Sequence, residues 1–124
     1  MSNQAQSPNN KKIYDLKIRT EKFGKVVILT AQTLANTPTN RPLIQQLVRS
    51  ATSVGANYME ADGAESKKDF RHKISICKKE AKESMHWLRM ILFANPQNEE
   101  VIRRIWKEAH ELALIFSSIT NKLI

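Results

Sequence analysis

The sequence predicts an all-α protein, an up-down-up-down four-helix bundle over residues 13–124, and three observations carry this prediction. With 3 Gly and 4 Pro in 124 residues, the chain has few of the turn residues that a many-stranded sheet requires. Apolar residues recur at alternating steps of three and four, which is the spacing of one helix face. Short polar segments separate the four periodic stretches, as in antiparallel bundles. The length indicates one domain.

The first helix begins at Ile13, because residues 1–12 are polar, contain Pro8 and show no periodicity. We predict a disordered leader there. The segment "NTPTNRP" predicts a loop in which Thr39 or Asn40 caps the next helix and Pro42 occupies its first turn. The expected core positions of the first helix are Ile13, Leu16, Thr20, Phe23, Val27, Thr30 and Leu34.

The second helix contains the stretch "RSATSVGANYMEA", whose small residues are weak helix formers. We expect Ala51 and Gly55 to let this helix approach the small residues Cys77, Ala81 and Ser84 of the third helix. Gly63 is expected to end the helix in the left-handed conformation. The predicted core positions are Ile44, Leu47, Ala51, Val54, Tyr58 and Ala61.

The third and fourth helices have recognisable starts. Ser66 is the expected cap of the third helix and Asn95 that of the fourth, where Pro96 fits the first turn and Glu99 and Glu100 complement the helix dipole. The predicted core positions are Phe70, Ile74, Cys77, Ala81, Ser84, Leu88 and Ile91, then Val101, Ile105, Ala109, Leu112, Phe116, Ile119 and Leu123.

The composition also indicates the cellular compartment of the protein. No apolar run reaches the roughly 20 residues of a membrane span, and "MSNQAQSPNN" lacks the apolar region of a signal peptide. The single Cys77 excludes an internal disulfide and a cysteine-rich zinc site. We therefore expect a cytoplasmic protein with no membrane partner and no cofactor.

The charge points to a polyanionic partner. Lys and Arg number 20 against 12 acidic residues, a formal charge of +8. Residues 67–82 alone carry seven cations and two acids, and the cations step by three and four opposite the predicted core. A solvated surface helix would look the same, so phosphate binding is one of two interpretations. The predicted nucleic-acid contacts are Lys67, Lys68, Arg71, Lys78, Lys79 and Lys82, with His72 and Ser75 in the same row.

A second polar row lies on the second helix and consists of Arg49, Ser53, Asn57 and Glu60. At about 100° per residue these fall within one quadrant, roughly opposite the apolar stripe. We predict that this row forms a subunit contact or an intersubunit hydrogen-bond ladder, and that Glu83 meets a partner helix.

Two short motifs suggest chemistry. Glu83 and His86 spell the E-x-x-H of di-iron bundles, but both are expected to point away from the core, so we predict no metal site. Arg104 and His110 fit an R-x5-H spacing found in small helical ribonucleases, in which the Arg holds a phosphate and the His acts as a base. An exposed histidine without a catalytic role is the simpler interpretation.

Two tryptophans lie off the core series, Trp87 on the third helix and Trp106 on the fourth. Peripheral packing and a subunit contact are both open for them.

The stretch "RSATSVGANYMEADG" resembles the R-x-x-x-S-[VI]-x-x-N-x-x-E-[AG] signature of the 23S ribosomal RNA intervening sequence proteins, and "SKKDFRHKISICKKEAKESMHWLRMI" is similar to the third helix of that family. The resemblance implies a four-helix bundle that assembles into a ring-like homopentamer and has no established catalytic residues. A related branch, the accessory variability determinant of diversity-generating retroelements, is basic and binds nucleic acid and a reverse transcriptase.

The sequence therefore predicts a non-enzymatic, homo-oligomeric protein that binds nucleic acid, RNA in the first place, or a nucleoprotein partner such as a reverse transcriptase. A small ribonuclease that uses Arg104 and His110 and an accessory subunit that binds only protein are the alternatives.

Overall fold

The computed structural model describes residues 8–122, with side chains from residue 16 onward. Four helices follow one another: α1 (Pro8–Ala31), α2 (Asn40–Asp62), α3 (Lys67–Ala94) and α4 (Glu99–Lys122), the last preceded by a 3₁₀ turn over Pro96–Asn98. Residues 8–122 contain no strand, and the all-α prediction is confirmed. Each helix packs on the next in the chain, while α1 and α4 make a smaller contact.

The predicted leader falls mostly outside this description. Residues 1–7 lie outside the described residues, and α1 is described from Pro8, five residues before the first apolar position that the periodicity used. None of the helices described in residues 8–122 combines the length and the hydropathy needed to cross a membrane.

The core follows the predicted 3–4 periodicity. Most predicted positions are buried, and Thr30, Ile44, Phe70, Val101 and Ile119 are half-buried at its edge. The side chains of Ile13 and Leu123 lie outside the described residues. The largest fully buried side chains include Leu16, Val27, Val54, Ile74, Leu88, Ile91, Leu112 and Phe116.

The helix starts were only partly predictable. The hydroxyl of Ser66 accepts a hydrogen bond of 3.0 Å from the backbone N–H of Asp69, so this cap is confirmed. Thr39 precedes α2 with helical backbone angles, φ −75° and ψ −44°, and makes no side-chain cap bond. The hydroxyl of Thr37 instead accepts from the backbone N–H of Asn40 at 3.0 Å, because the turn before α2 places it over the first free donor.

Two predicted roles are wrong at helix ends. Gly63 ends α2 with φ −99° and ψ 14°, not in the left-handed region, and its N–H reaches the carbonyls of Met59 and Glu60. The side chain of Asn95 makes no cap bond to the turn that follows it, although its backbone carbonyl accepts from the N–H of Asn98 at 2.9 Å. Its side chain pairs with Asn40 across the end of the bundle, where the α1–α2 and α3–α4 connections meet.

The small residues of α2 allow close packing against two neighbouring helices, α3 and α1. On the α3 side, the hydroxyls of Ser50 and Ser84 lie 2.9 Å apart, which requires close backbones. Gly55 was expected on this side but faces α1: a methyl group there would lie 3.3 Å from the carbonyl oxygen of Thr20. Gly24 of α1 approaches Thr52 in the same interface, so a glycine from each helix brings α1 and α2 together.

Candidate nucleic-acid interface

The cationic row predicted on the third helix lies on the outer surface of α3. The opposite side of the helix carries Ile74, Cys77 and Ala81, all fully buried. Burial of that side fixes the rotation of the helix, so the basic side must face solvent. Lys78 is half-buried, and the exposed members of the row are Lys67, Lys68, Arg71, His72, Ser75, Lys79 and Lys82.

Most lysines of this row form no ion pair with the side chains that the structure describes. Among residues 16–122, no acidic group lies within ion-pair distance of Lys68, Lys78, Lys79 or Lys82. Lys73 differs, because its ammonium lies 2.7 Å from the carboxylate of Glu60, which raises the pKa of the lysine. The other four lysines therefore make the local potential positive, and only at Lys79 does a nearby carboxylate, that of Glu83, partly offset the charge.

The row continues toward α4 through residues that the sequence analysis did not include. Arg89 is two turns beyond Lys82 on the same side of α3. It lines a groove between α3 and α4 together with Arg103 and Lys107. The seven-residue step from Lys82 to Arg89 was visible in the sequence, whereas the contribution of α4 required the tertiary arrangement.

The polar row of α2 lies beside α3 and not opposite the core, which corrects the predicted placement. The guanidinium of Arg49 contacts Glu83 and lies 3.4 Å from the carboxylate of Glu80. The indole N–H of Trp87 also donates to Glu83, at 2.9 Å. These two donors, Trp87 first and then Arg49, hold the pKa of the Glu83 carboxyl below its ordinary value. Glu83 does meet another helix, and it is α2 of the same chain.

The remaining members of that row also bond within the chain. The hydroxyl of Ser53 donates to the carbonyl of Arg49 at 2.7 Å, and the amide of Asn57 donates to the carbonyl of Ser53 at 2.8 Å. Glu60 pairs with Lys73 of α3. The two ends of the row, Arg49 and Glu60, thus form a seam between α2 and α3, and a subunit contact through the outer edge of the row stays a prediction.

The described residues contain no cluster of three or more His, Cys, Asp or Glu side chains that could hold a metal ion. Glu83 of the E-x-x-H motif is engaged by Arg49 and Trp87, whereas His86 is exposed and makes an edge contact with the Trp87 ring. Burial raises the pKa of the Cys77 thiol to about 12, as expected of an unreactive core cysteine.

The two residues of the ribonuclease hypothesis point to different sides of α4. Arg104 lines a groove toward α1 and lies 3.8 Å from Glu100. His110 packs on Trp106, with ring centroids 5.1 Å apart, and Trp106 lines the groove toward α3. The structure does not bring Arg104 and His110 together, although Arg103 lies on the His110 side of the helix.

The α1–α4 contact holds a cluster that the sequence analysis missed. The guanidinium of Arg19 donates to Glu108 at 2.8 and 3.1 Å and to Glu111 at 2.8 Å. These carboxylates raise the pKa of the arginine, Glu108 most strongly. The partners are about 90 residues apart in the chain, and no local pattern relates them.

The fold and this surface define a class: a small helical bundle with one cationic side and no assembled metal cluster among its described residues. The particular family follows from comparison, because the model of the 23S rRNA-intervening sequence proteins matches residues 14–118. The chain belongs to that family. The resemblance inferred from the sequence is confirmed, while the relation to the retroelement branch stays a prediction.

A solved structure supports the same assignment. The chain is similar to a protein of unknown function from the S23 ribosomal protein family of Bacteroides thetaiotaomicron, a crystal structure at 1.70 Å resolution. The two are 30 % identical, with a TM-score of 0.78, over 85 % of this chain and 97 % of the other. No curated protein resembles the chain closely enough to count as a relative.

Proposed function

We propose that this protein binds nucleic acid, RNA in the first place, through the basic side of α3, as a homo-oligomer without catalytic activity. One observation carries the proposal: no acidic group among residues 16–122 lies within ion-pair distance of Lys68, Lys78, Lys79 or Lys82. Several like charges without ion-pair partners on one side of a helix attract polyanions, so this surface favours a polyanionic partner.

The row suits a phosphate backbone better than a small anion. Its cations extend from Lys68 to Lys82 along about four turns of the outer side of α3, so that they form a row and not a single cluster. Contacts of this kind position the protein on a backbone and carry little sequence information. The family name, which refers to the ribosomal RNA intervening sequence, fits an RNA partner.

Oligomerisation would multiply the surface. The family resemblance implies a homopentamer, and five copies of the row would bind one long polyanion much more tightly than one copy does. Light scattering of the purified protein is expected to give five times the 14.2 kDa of one chain. The resemblance to the retroelement branch makes a reverse transcriptase a further proposed partner.

A gel-shift titration tests the central claim. Binding to RNA should weaken steeply as salt rises, because the affinity comes largely from counterion release. The triple variant Lys78→Glu, Lys79→Glu and Lys82→Glu should bind at least tenfold more weakly at the same salt concentration, by the same mechanism. Circular dichroism establishes that the variant is folded.

The matched control reverses three exposed lysines of α1, Lys17, Lys22 and Lys25, and so changes the net charge equally. It should lose distinctly less affinity than the α3 variant. Equal losses would mean that net charge, and not the α3 surface, governs binding. Absent or salt-independent binding would contradict the proposal.

The ribonuclease alternative has its own assay. Purified protein should leave a labelled RNA intact. If it cleaves, the variant His110→Ala decides whether the R-x5-H pair is responsible, and cleavage that survives this change excludes the pair.

A further inference from the structure

The groove between α3 and α4 has features that the basic row lacks. It lies between the C-terminal half of α3 and the N-terminal half of α4 and has a volume of about 220 Å³. This is smaller than the roughly 300–1,000 Å³ of sites for drug-sized ligands, so it suits one ring-sized fragment of a larger molecule. The apolar residues of its wall are Leu88, Leu92, Ile102 and Trp106.

Three cations surround this apolar wall. Arg89 comes from α3, and Arg103 and Lys107 come from α4. Arg103 pairs with Glu99 at 2.5 Å, whereas neither Arg89 nor Lys107 has an acidic partner among residues 16–122. An apolar groove bordered by uncompensated cations fits a ligand that joins an apolar ring to an anionic group.

Trp106 supplies the aromatic surface and an unused donor. Its side chain is half-buried, and its indole N–H is buried without an acceptor among the described residues. A buried donor that lacks an acceptor is unfavourable, and native structures rarely leave one unexplained. His110 packs on the same ring at an interplanar angle of 31°.

We propose that this groove holds one unpaired base of a single-stranded nucleic acid, packed against Trp106, with the adjoining phosphates on Arg89 and Lys107. The groove is continuous with the basic row of α3, because Arg89 lies two turns past Lys82 on the same side of the helix. One nucleic-acid strand could therefore pass from the basic row to the groove. Bases of a duplex are already stacked and paired, so the groove selects single strands. This inference rests on the proposed function.

A competition between single-stranded and duplex RNA of equal length tests it. The native protein should bind the single strand more tightly, and Trp106→Leu should lose roughly tenfold in affinity for it, the loss typical of one base–aromatic contact, while duplex binding changes little. Trp87→Leu is the matched control, because Trp87 donates to Glu83 at the α2–α3 seam, away from the groove, and binding should be unchanged.

Two further measurements keep the test decisive if Trp106→Leu folds poorly. In a Trp87→Phe background, Trp106 is the only tryptophan, and its fluorescence should be quenched by the single strand and not by the duplex. The double variant Arg89→Ala and Lys107→Ala, which changes only exposed side chains, should weaken single-strand binding more than duplex binding.

The outcomes separate this inference from the proposed function. In one outcome, binding depends on salt and on the α3 lysines but shows no preference for single strands and no effect of Trp106→Leu. This outcome would overturn the inference about the groove and leave the proposed function intact. Absence of salt-dependent binding would remove both. A smaller particle mass for Trp106→Leu in light scattering would overturn it as well, because the groove would then be a contact between subunits.

Discussion

The side chains of Asn40 and Asn95 form a reciprocal pair, in which each amide donates to the other's carbonyl oxygen at 2.9 Å. Both residues are almost fully buried, at 2 % and 3 % exposure. Each amide also bonds a backbone carbonyl, that of Ala35 or of Ile91. The pair therefore ties the α1–α2 and α3–α4 connections together at one end of the bundle.

Removing either member of this pair should destabilise the fold. Asn40→Ala or Asn95→Ala leaves a buried amide without its partner and should cost about 1–3 kcal/mol in the free energy of unfolding. The double variant should cost less than the sum of the two, because the second change removes the orphaned group. Urea unfolding followed by circular dichroism measures all three, with the exposed Asn36→Ala as a control expected within about 0.5 kcal/mol of the native protein. Additive losses would show that the pair is not coupled.

Arg49 should contribute to stability through Glu80. The side chain of Glu80 is only 10 % exposed, and Arg49→Ala would leave its carboxylate without this cation. We expect a loss of about 1–3 kcal/mol in the free energy of unfolding. Arg103→Ala is the control, because it breaks an exposed i,i+4 pair and should cost about 0.3–0.5 kcal/mol. Equal effects of the two changes would contradict the assigned role of the α2–α3 seam.

The two glycines of the α1–α2 interface should respond differently to alanine. A methyl group at Gly24 would meet its nearest neighbours at 3.6 Å, an ordinary contact, so Gly24→Ala should gain up to about 1 kcal/mol from helix propensity. At Gly55 the methyl would lie 3.3 Å from the backbone of Thr20, and Gly55→Ala should be less stable than Gly24→Ala by about 1–3 kcal/mol. Thermal or urea unfolding ranks the two, and the reverse order would mean that α1 can move away freely.

Acid should weaken the seam through Glu83. The pKa of this carboxyl is lower in the fold than its ordinary value of 4.5, so the charged form is the stabilising one. Its contribution is complete above about pH 4.5 and is lost as the pH falls through the folded-state pKa. The stability difference between the native protein and Glu83→Gln should therefore shrink between pH 7 and pH 3 in urea unfolding.

Glu21→Gln provides the comparison for this acid effect. Glu21 is exposed, and its carboxylate pairs with Lys25 one turn away, which lowers the pKa of Glu21. Solvent screens such a pair, so the pH profile of this variant should follow that of the native protein. A pH-independent difference for Glu83→Gln would show that the seam does not depend on the charge.

Much of the fold was predictable because helix periodicity is a local property. The spacing of Leu47, Ala51 and Val54 places them on one side of a helix whatever the helix packs against, and all three are buried. The basic row of α3 was predictable for the same reason, since its side is defined by the buried Ile74 and Cys77. Cap assignments were less secure, because several nearby hydroxyls and amides compete for the same few N–H groups.

The sequence by itself determined the number of helices, their inward sides and the outward side of the basic row of α3, because each depends on residues within a few turns. Tertiary structure decided which helix Gly55 approaches, that Asn40 meets Asn95 and that Arg49 reaches Glu80 across the seam. It also decided that Arg89 and Trp106 border one groove. The members of these pairs are separated by 17 to 55 residues in the chain. Whether they meet depends on how the helices are rotated against one another, and that rotation is determined by the packing of the whole core.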